Sequence, residues 1–285
     1  MNYLVKQDIE TVIELLGIST EELAHNIGVS RVTVSNWINS KTEINASNIA
    51  EFYEFTYKAG IKLNKIKEQL YKEDSIAKED VLLFHGAKEQ LLGDLSLKYS
   101  VNNNDFGKGF YCGESLEQSA MFVSTYTRSN LYMLKFKKNG LTHIQYDVNR
   151  DWMLLIAYYR NRLGEYANSD IIKKLSDKNN DVDYIIAPIA DNRMFEIIDQ
   201  FIDGEITDIQ CQHCLSATNL GYQYVFKTDK ALKQIELLEK CYLADTEKEY
   251  YLKSRQESYN LGRDKVKLAR KQFRNHGEYI EDILK

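Results

Sequence analysis

Three short apolar segments each carry a polar or glycine-rich centre. They are Phe84-His85-Gly86-Ala87, Phe106-Gly107-Lys108-Gly109-Phe110-Tyr111 and Tyr222-Gln223-Tyr224-Val225-Phe226. A buried imidazole, phenol or amide without a partner is costly. His85, Tyr111 and Gln223 must therefore satisfy one another or meet a ligand. Glycines at 86, 107 and 109 let another group approach the backbone closely. A run with helical spacing then carries Ser119 and Phe122. Exposed backbone N–H and C=O groups, a hydroxyl and aromatic faces are the parts needed to grip a flat, amide-bearing ring.

These segments resemble the catalytic region of the poly(ADP-ribose) polymerase-like ADP-ribosyltransferases, and the resemblance is closest across Asp105-Phe-Gly-Lys-Gly-Phe-Tyr-Cys-Gly-Glu-Ser-Leu-Glu-Gln-Ser-Ala-Met-Phe122. They also resemble a bacterial branch of uncharacterised proteins with a later segment like Asp183-Tyr-Ile-Ile-Ala-Pro-Ile-Ala-Asp-Asn-Arg193. The resemblance implies NAD as ADP-ribose donor and no metal. The Gly86 backbone and the Ser119 hydroxyl would hold the nicotinamide carboxamide, Tyr111 and Phe122 would flank the ring, and His85 would contact a ribose hydroxyl. Phe106, Gly107 and Gly109 would shape the turn beside them. The implied catalytic set is His85, Tyr111 and Gln223. Asp191 and Arg193, after Pro188, would sit at a pocket rim and position an acceptor.

The match departs at three positions. Gln223 stands where the family has Glu, Gln118 where the polymerases carry a lysine, and Phe122 where Tyr is common. An amide accepts a hydrogen bond without a full charge. The expectation is single ADP-ribose transfer to a macromolecule (protein, DNA or RNA) rather than chain building. The alternative is a transcription regulator that senses NAD with a weak or inactive transferase-like domain.

The elements that must position these residues follow from periodicity. VLLFHG, NLYMLKFKK, DVDYIIAPIA and GYQYVFKT read as strands,. DWMLLIAYYRNRLGEYA and MFEIIDQFI read as helices between them. This mixed order predicts an α+β fold, which the resemblance refines to a split antiparallel β core with helices. An all-α N-terminal domain and a charged helical C-terminal tail flank it. The expected boundaries are 1–73, 78–232 and 233–285, with KEDSIAKED at Lys72 to Asp80 as the first connector.

In the N-terminal part, Ser19 and Glu22 form a capping box, Gly28 marks a turn and Ser30 caps a further helix. Leu23, Ala24, Ile27, Val29, Val34 and Trp37 are spaced to share one core. The stretch resembles the helix-turn-helix of the Cro/CI (xenobiotic-response) repressors. By that resemblance Arg31, Thr33 and Asn36 would face base edges, with Ser30, Ser35 and Lys41 near phosphates. DNA is thus an expected partner, as operator or substrate, and a homodimer would strengthen binding. The whole arrangement resembles bacterial toxin or phage-defence effectors, for which a cognate antitoxin would be a partner.

Composition bounds these readings. The 285 residues carry 37 basic and 42 acidic side chains, a formal net charge of -5, which disfavours a strongly basic nucleic-acid coat. GRDKVKLARKQFRNHG, near the C-terminus, concentrates six basic residues on a charged helix. No stretch is apolar enough to span a bilayer, and the N-terminus lacks the pattern of a signal peptide. Four cysteines (112, 211, 214 and 241) read as thiols in a reducing cytoplasm,. Cys211-Gln-His-Cys214 has no second ligand pair to complete a zinc site.

Overall fold

Several helix starts are set by local side-chain caps. Ser19 Oγ accepts from Glu22 N at 3.1 Å, and the Glu22 carboxylate accepts from Ser19 N at 2.7 Å, forming the expected capping box. Ser30 Oγ accepts from Thr33 N in the same way. A computed structural model describes residues 3–76, 80–217 and 221–285. The strands are β1 (Val81–Ala87), β2 (Phe110–Gly113), β3 (Asn130–Phe136), β4 (His143–Gln145), β5 (Tyr184–Pro188), β6 (Tyr222–Phe226) and β7 (Ile235–Cys241). The helices are α1 (Val5–Leu16), α2 (Thr20–Asn26), α3 (Arg31–Ile38), α4 (Ala46–Lys58), α5 (Leu63–Ile76), α6 (Leu116–Val123) and α7 (Arg150–Tyr159). They continue with α8 (Asp170–Asn180), α9 (Asn192–Ile202), α10 (Asp208–Ser216), α11 (Asp229–Leu232), α12 (Asp245–Gln272) and α13 (Ile280–Leu284).

The chain packs into two compact units. The first comprises Met1–Leu92, Leu116–Lys135 and Leu237–Ser254. Its helical part buries Ile9, Val12, Leu23, Val34, Trp37 and Phe52. Strands β1, β3 and β7 follow one another in the sheet, and α6 packs Leu116, Ala120 and Val123 with Leu82, Phe84 and Met133.

The second unit comprises Gly93–Ser115, Phe136–Glu236 and Arg255–Lys285. Its strands run in the order β4-β5-β6-β2. Alternation along β5 and β6 turns Ile185, Ala187 and Val225 into a core shared with Trp152, Leu155, Ile198, Phe201 and Cys211 of α7, α9 and α10,.

The α+β expectation holds, with two corrections. The sheet is mixed: β4 and β5 pair in parallel, whereas β5–β6 and β6–β2 are antiparallel. The chain between β4 and β5 passes through α7 and α8, and such a crossover returns a strand in the same direction. The C-terminal tail is not helical from its start, because Ile235–Cys241 is a strand. Within this strand Glu239 is buried and meets internal partners. Among the described residues, no helix is long and apolar enough to cross a membrane.

Those partners form a buried ionic network in the first unit. Lys67 of α5 lies 2.6 Å from Asp8 of α1 and 2.7 Å from Glu239 of β7. Tyr53 donates to Asp8 at 2.5 Å, and Tyr71 donates to Glu239 at 3.1 Å. One ammonium cannot compensate two desolvated carboxylates alone, and the phenols supply the remaining donors. Nearby, Asn64 Nδ2 donates to Tyr242 O at 2.8 Å and reaches both Glu247 oxygens at 3.3 Å. Burial pushes the Glu247 carboxyl up to about 7, although Asn64 and a backbone amide pull against it.

A carboxyl whose folded pKa exceeds its unfolded value costs stability progressively as pH rises from the unfolded pKa through the folded one. Glu247→Gln should therefore gain on the wild type by on the order of 2 kcal/mol between pH 5 and pH 8. Urea unfolding at the two pH values checks this; a constant difference would contradict the burial of an ionising group there.

Candidate functional site

In the first unit, β1 delivers His85 and Gly86 beside α6, which carries Ser119 and Phe122. A Cβ added to Gly86 would lie 2.4 Å from Val123 Cγ1, 3.4 Å from a Phe122 ring carbon and 3.4 Å from the Ser119 carbonyl oxygen. Only glycine allows this strand and helix to approach so closely. Four sequence-predicted residues or their immediate neighbours thus gather at one strand end. Ser119 is buried, while half of the Phe122 surface is exposed. The His85 ring lies 6.4 Å from that of Tyr132, tilted by 30°.

In the second unit, the Asp105–Gly109 loop leads into β2, which pairs with β6. Gly107 has a φ of 67°, and a Cβ there would meet the Tyr159 ring at 2.9 Å. The Tyr111 hydroxyl closes the loop by donating to Gly107 O at 2.6 Å and accepting from Phe106 N at 3.1 Å. Burial raises the Tyr111 phenol far above its usual range, and the nearby Asp105 charge adds to this. The phenol is accordingly a hydrogen-bonding group rather than a proton donor near neutrality.

Gln223 is buried and points into the same loop. Its Nε2 donates to Asp105 Oδ2 at 2.9 Å and to Pro188 O at 3.2 Å. Asp105 also accepts from Arg160 Nε at 3.0 Å, Arg160 Nη2 at 2.5 Å and Ala190 N at 3.2 Å. Arg160 donates further to Ala190 O at 2.6 Å and lies over the Phe195 ring at 4.2 Å. Lys227 Nζ donates to Phe106 O at 2.7 Å, and burial lowers its pKa to about 8.

Sequence reasoning missed Asp105, Arg160 and Lys227. Asp105 carried a signal, being an acid directly ahead of an apolar glycine loop. Arg160 and Lys227 carried none, because only folding brings positions 105, 160, 190, 223 and 227 together.

The remaining expected residues take these places. Asp191 is exposed and caps α9, accepting from Met194 N at 3.0 Å. The side chain of Arg193 lies outside the described residues. In the N-terminal part, Arg31, Ser35 and Lys41 are exposed on or just after α3, Thr33 and Asn36 are half-buried, and exposed Ser30 bonds Thr33 Oγ1 at 2.8 Å. Cys211 and Cys214 are buried thiols that donate to the carbonyls of Ile197 and Val266. His213 lies flat against Phe273, with ring centroids 3.5 Å apart.

The Gly86 contact yields a direct test. Gly86→Ala should destabilise the protein by roughly 1–3 kcal/mol through overpacking, with partial recovery in Gly86→Ala/Val123→Ala. Thermal unfolding of both variants measures it; an unchanged melting temperature in the single variant would place α6 further from β1.

Neither a curated protein nor a solved structure matches the chain. Residues 9–52 match the helix-turn-helix family, and residues 81–237 match the family described as "Protein of unknown function (DUF3990)". With more than half of its length inside that match, the chain belongs to the DUF3990 family and carries a helix-turn-helix DNA-binding module ahead of the family domain.

Proposed function

We propose that the DUF3990 domain of this chain is an NAD-dependent mono-ADP-ribosyltransferase acting on a macromolecular acceptor. The observation that carries the reading is the approach of Gly86 to α6. There the Gly86 backbone, the Ser119 carbonyl and the Phe122 ring adjoin one another. These groups fit a planar carboxamide, since a backbone N–H and C=O pair with its oxygen and nitrogen and an aromatic face covers the ring. NAD supplies an ADP-ribosyl group: its C1′–N bond breaks with the electron pair leaving on nicotinamide, a nucleophilic atom of the acceptor bonds to C1′, and the acceptor's proton passes to solvent. In this reading His85 holds a ribose hydroxyl, while the family resemblance alone assigns the ring contact to Tyr111 and the acceptor for the 2′-hydroxyl to Gln223. The contribution is orientation and charge placement. The expectation of toxin or phage-defence biology, with a cognate antitoxin, belongs to the same proposal.

Incubating the full chain with labelled NAD tests this. Free nicotinamide should appear above background and fall at least tenfold in His85→Ala and Tyr111→Ala, with single ADP-ribose adducts on protein, DNA or RNA. Long ladders would remove the mono-transfer claim. Tight NAD binding without release would replace the enzyme by a sensor.

For the helix-turn-helix module, Arg31 and Asn36 are the proposed base-reading side chains. Arg31→Ala or Asn36→Ala should each weaken binding to a duplex selected by the wild-type protein by roughly 1–3 kcal/mol. Fluorescence anisotropy at fixed salt checks the loss; equal weakening on unselected DNA would reassign the residue to a phosphate contact.

A further inference from the structure

The amide of Gln223 has only one orientation that its neighbours accept. Its Nε2 faces Asp105 Oδ2 at 2.9 Å and Pro188 O at 3.2 Å. Both are acceptors, since a peptide carbonyl has no proton to give and the Asp105 oxygens already receive Arg160 and Ala190 N–H groups,. Reversing the amide would set three oxygens against one another in a buried place. The Gln223 carbonyl oxygen is therefore turned away from Asp105. Arg160 makes this possible, because its guanidinium meets the Asp105 carboxylate through two N–H groups and anchors itself on Ala190 O,.

We infer that Asp105, held by Arg160, is a positioning residue that locks Gln223 with its carbonyl as the presented acceptor. The negative charge stands directly against the amide nitrogen, and the presented atom keeps a fixed direction. A ribose hydroxyl would then find an acceptor that needs no reorientation, as a preorganised site requires. The catalytic part of the inference rests on the transferase reading of Gln223. The orientation of the amide does not.

Two measurements separate these parts. In the wild-type chain, NMR of the Gln223 side-chain amide should show both Nε2 protons protected from solvent exchange, with loss of protection in Asp105→Asn. Unprotected protons in the folded wild type would overturn the lock. The kinetic readout is nicotinamide release. Asp105→Asn should lower kcat roughly tenfold or more, with KM for NAD within about twofold. Gln223→Met, which keeps the volume and removes the acceptor, should fall at least as far. Unchanged kcat in a folded Asp105→Asn whose amide has lost protection would overturn the positioning role. If Asp105→Asn fails to fold, the wild-type protection and the Gln223→Met rate decide instead: protected protons with a full rate in Gln223→Met would refute the role. No release by the wild type would defeat the transferase reading and the catalytic role together, leaving the lock to be judged on exchange alone.

Discussion

A carboxylate in the interior of the second unit organises the loops around it. Asp105 is 7% exposed and receives N–H groups from Arg160, Ala190 and Gln223. Removing a carboxylate from water is tolerable only when charge and hydrogen bonds replace the solvent shell. Here the charge comes from α7's end, the amide N–H from the segment after β5, and the side-chain amide from β6. Three separate pieces of chain are thereby referred to one pair of oxygens. The glycine loop that follows Asp105 inherits that fixed origin and is closed by the Tyr111 hydroxyl and Lys227.

The first unit solves an equivalent problem with the opposite charge at its centre. Lys67 sits between Asp8 and Glu239, and two phenols complete the set. The result is that the helix-turn-helix does not end where its sequence signature ends. Tyr242 stacks on Tyr53 with centroids 4.6 Å apart and an interplanar angle of 8°, and Ala244 joins the core of the N-terminal helices. Thr246 also bonds the Glu54 carboxylate. Residues near 240 therefore belong to the packing of the DNA-binding module.

In the proposed reaction, an amide rather than a carboxylate at 223 would set the division of labour. An ionised side chain can accept a proton or balance a nearby cation. An amide can do neither and contributes direction alone. Direction has value only if the amide cannot flip, and its two acceptor neighbours meet that condition. A charge stands beside the amide at 105, where Arg160 compensates it.

Local chemistry was legible in the residues themselves. The Ser19–Glu22 capping box, the paired helices around Val34 and Trp37, and the four strands predicted from apolar runs all follow from patterns spanning fewer than about twelve residues. Gly86 and Gly107 could be marked as points of close approach because a missing Cβ has few other uses beside aromatic residues. What they approach was not legible: Val123 and Tyr159 are fixed by helix packing. The strand at Ile235–Cys241 falls in the tail expected to be helical, and there Lys67 and Tyr71 meet Glu239 inside the protein. The parallel pairing of β4 with β5 likewise depends on where a long crossover returns. Sequence alone determined the capped helix starts and most of the strands and helices, because those properties are short-range. The partners of Asp105, Gln223 and Lys67, and hence their roles, were decided only by tertiary structure, since a buried charge selects its companions by distance in space.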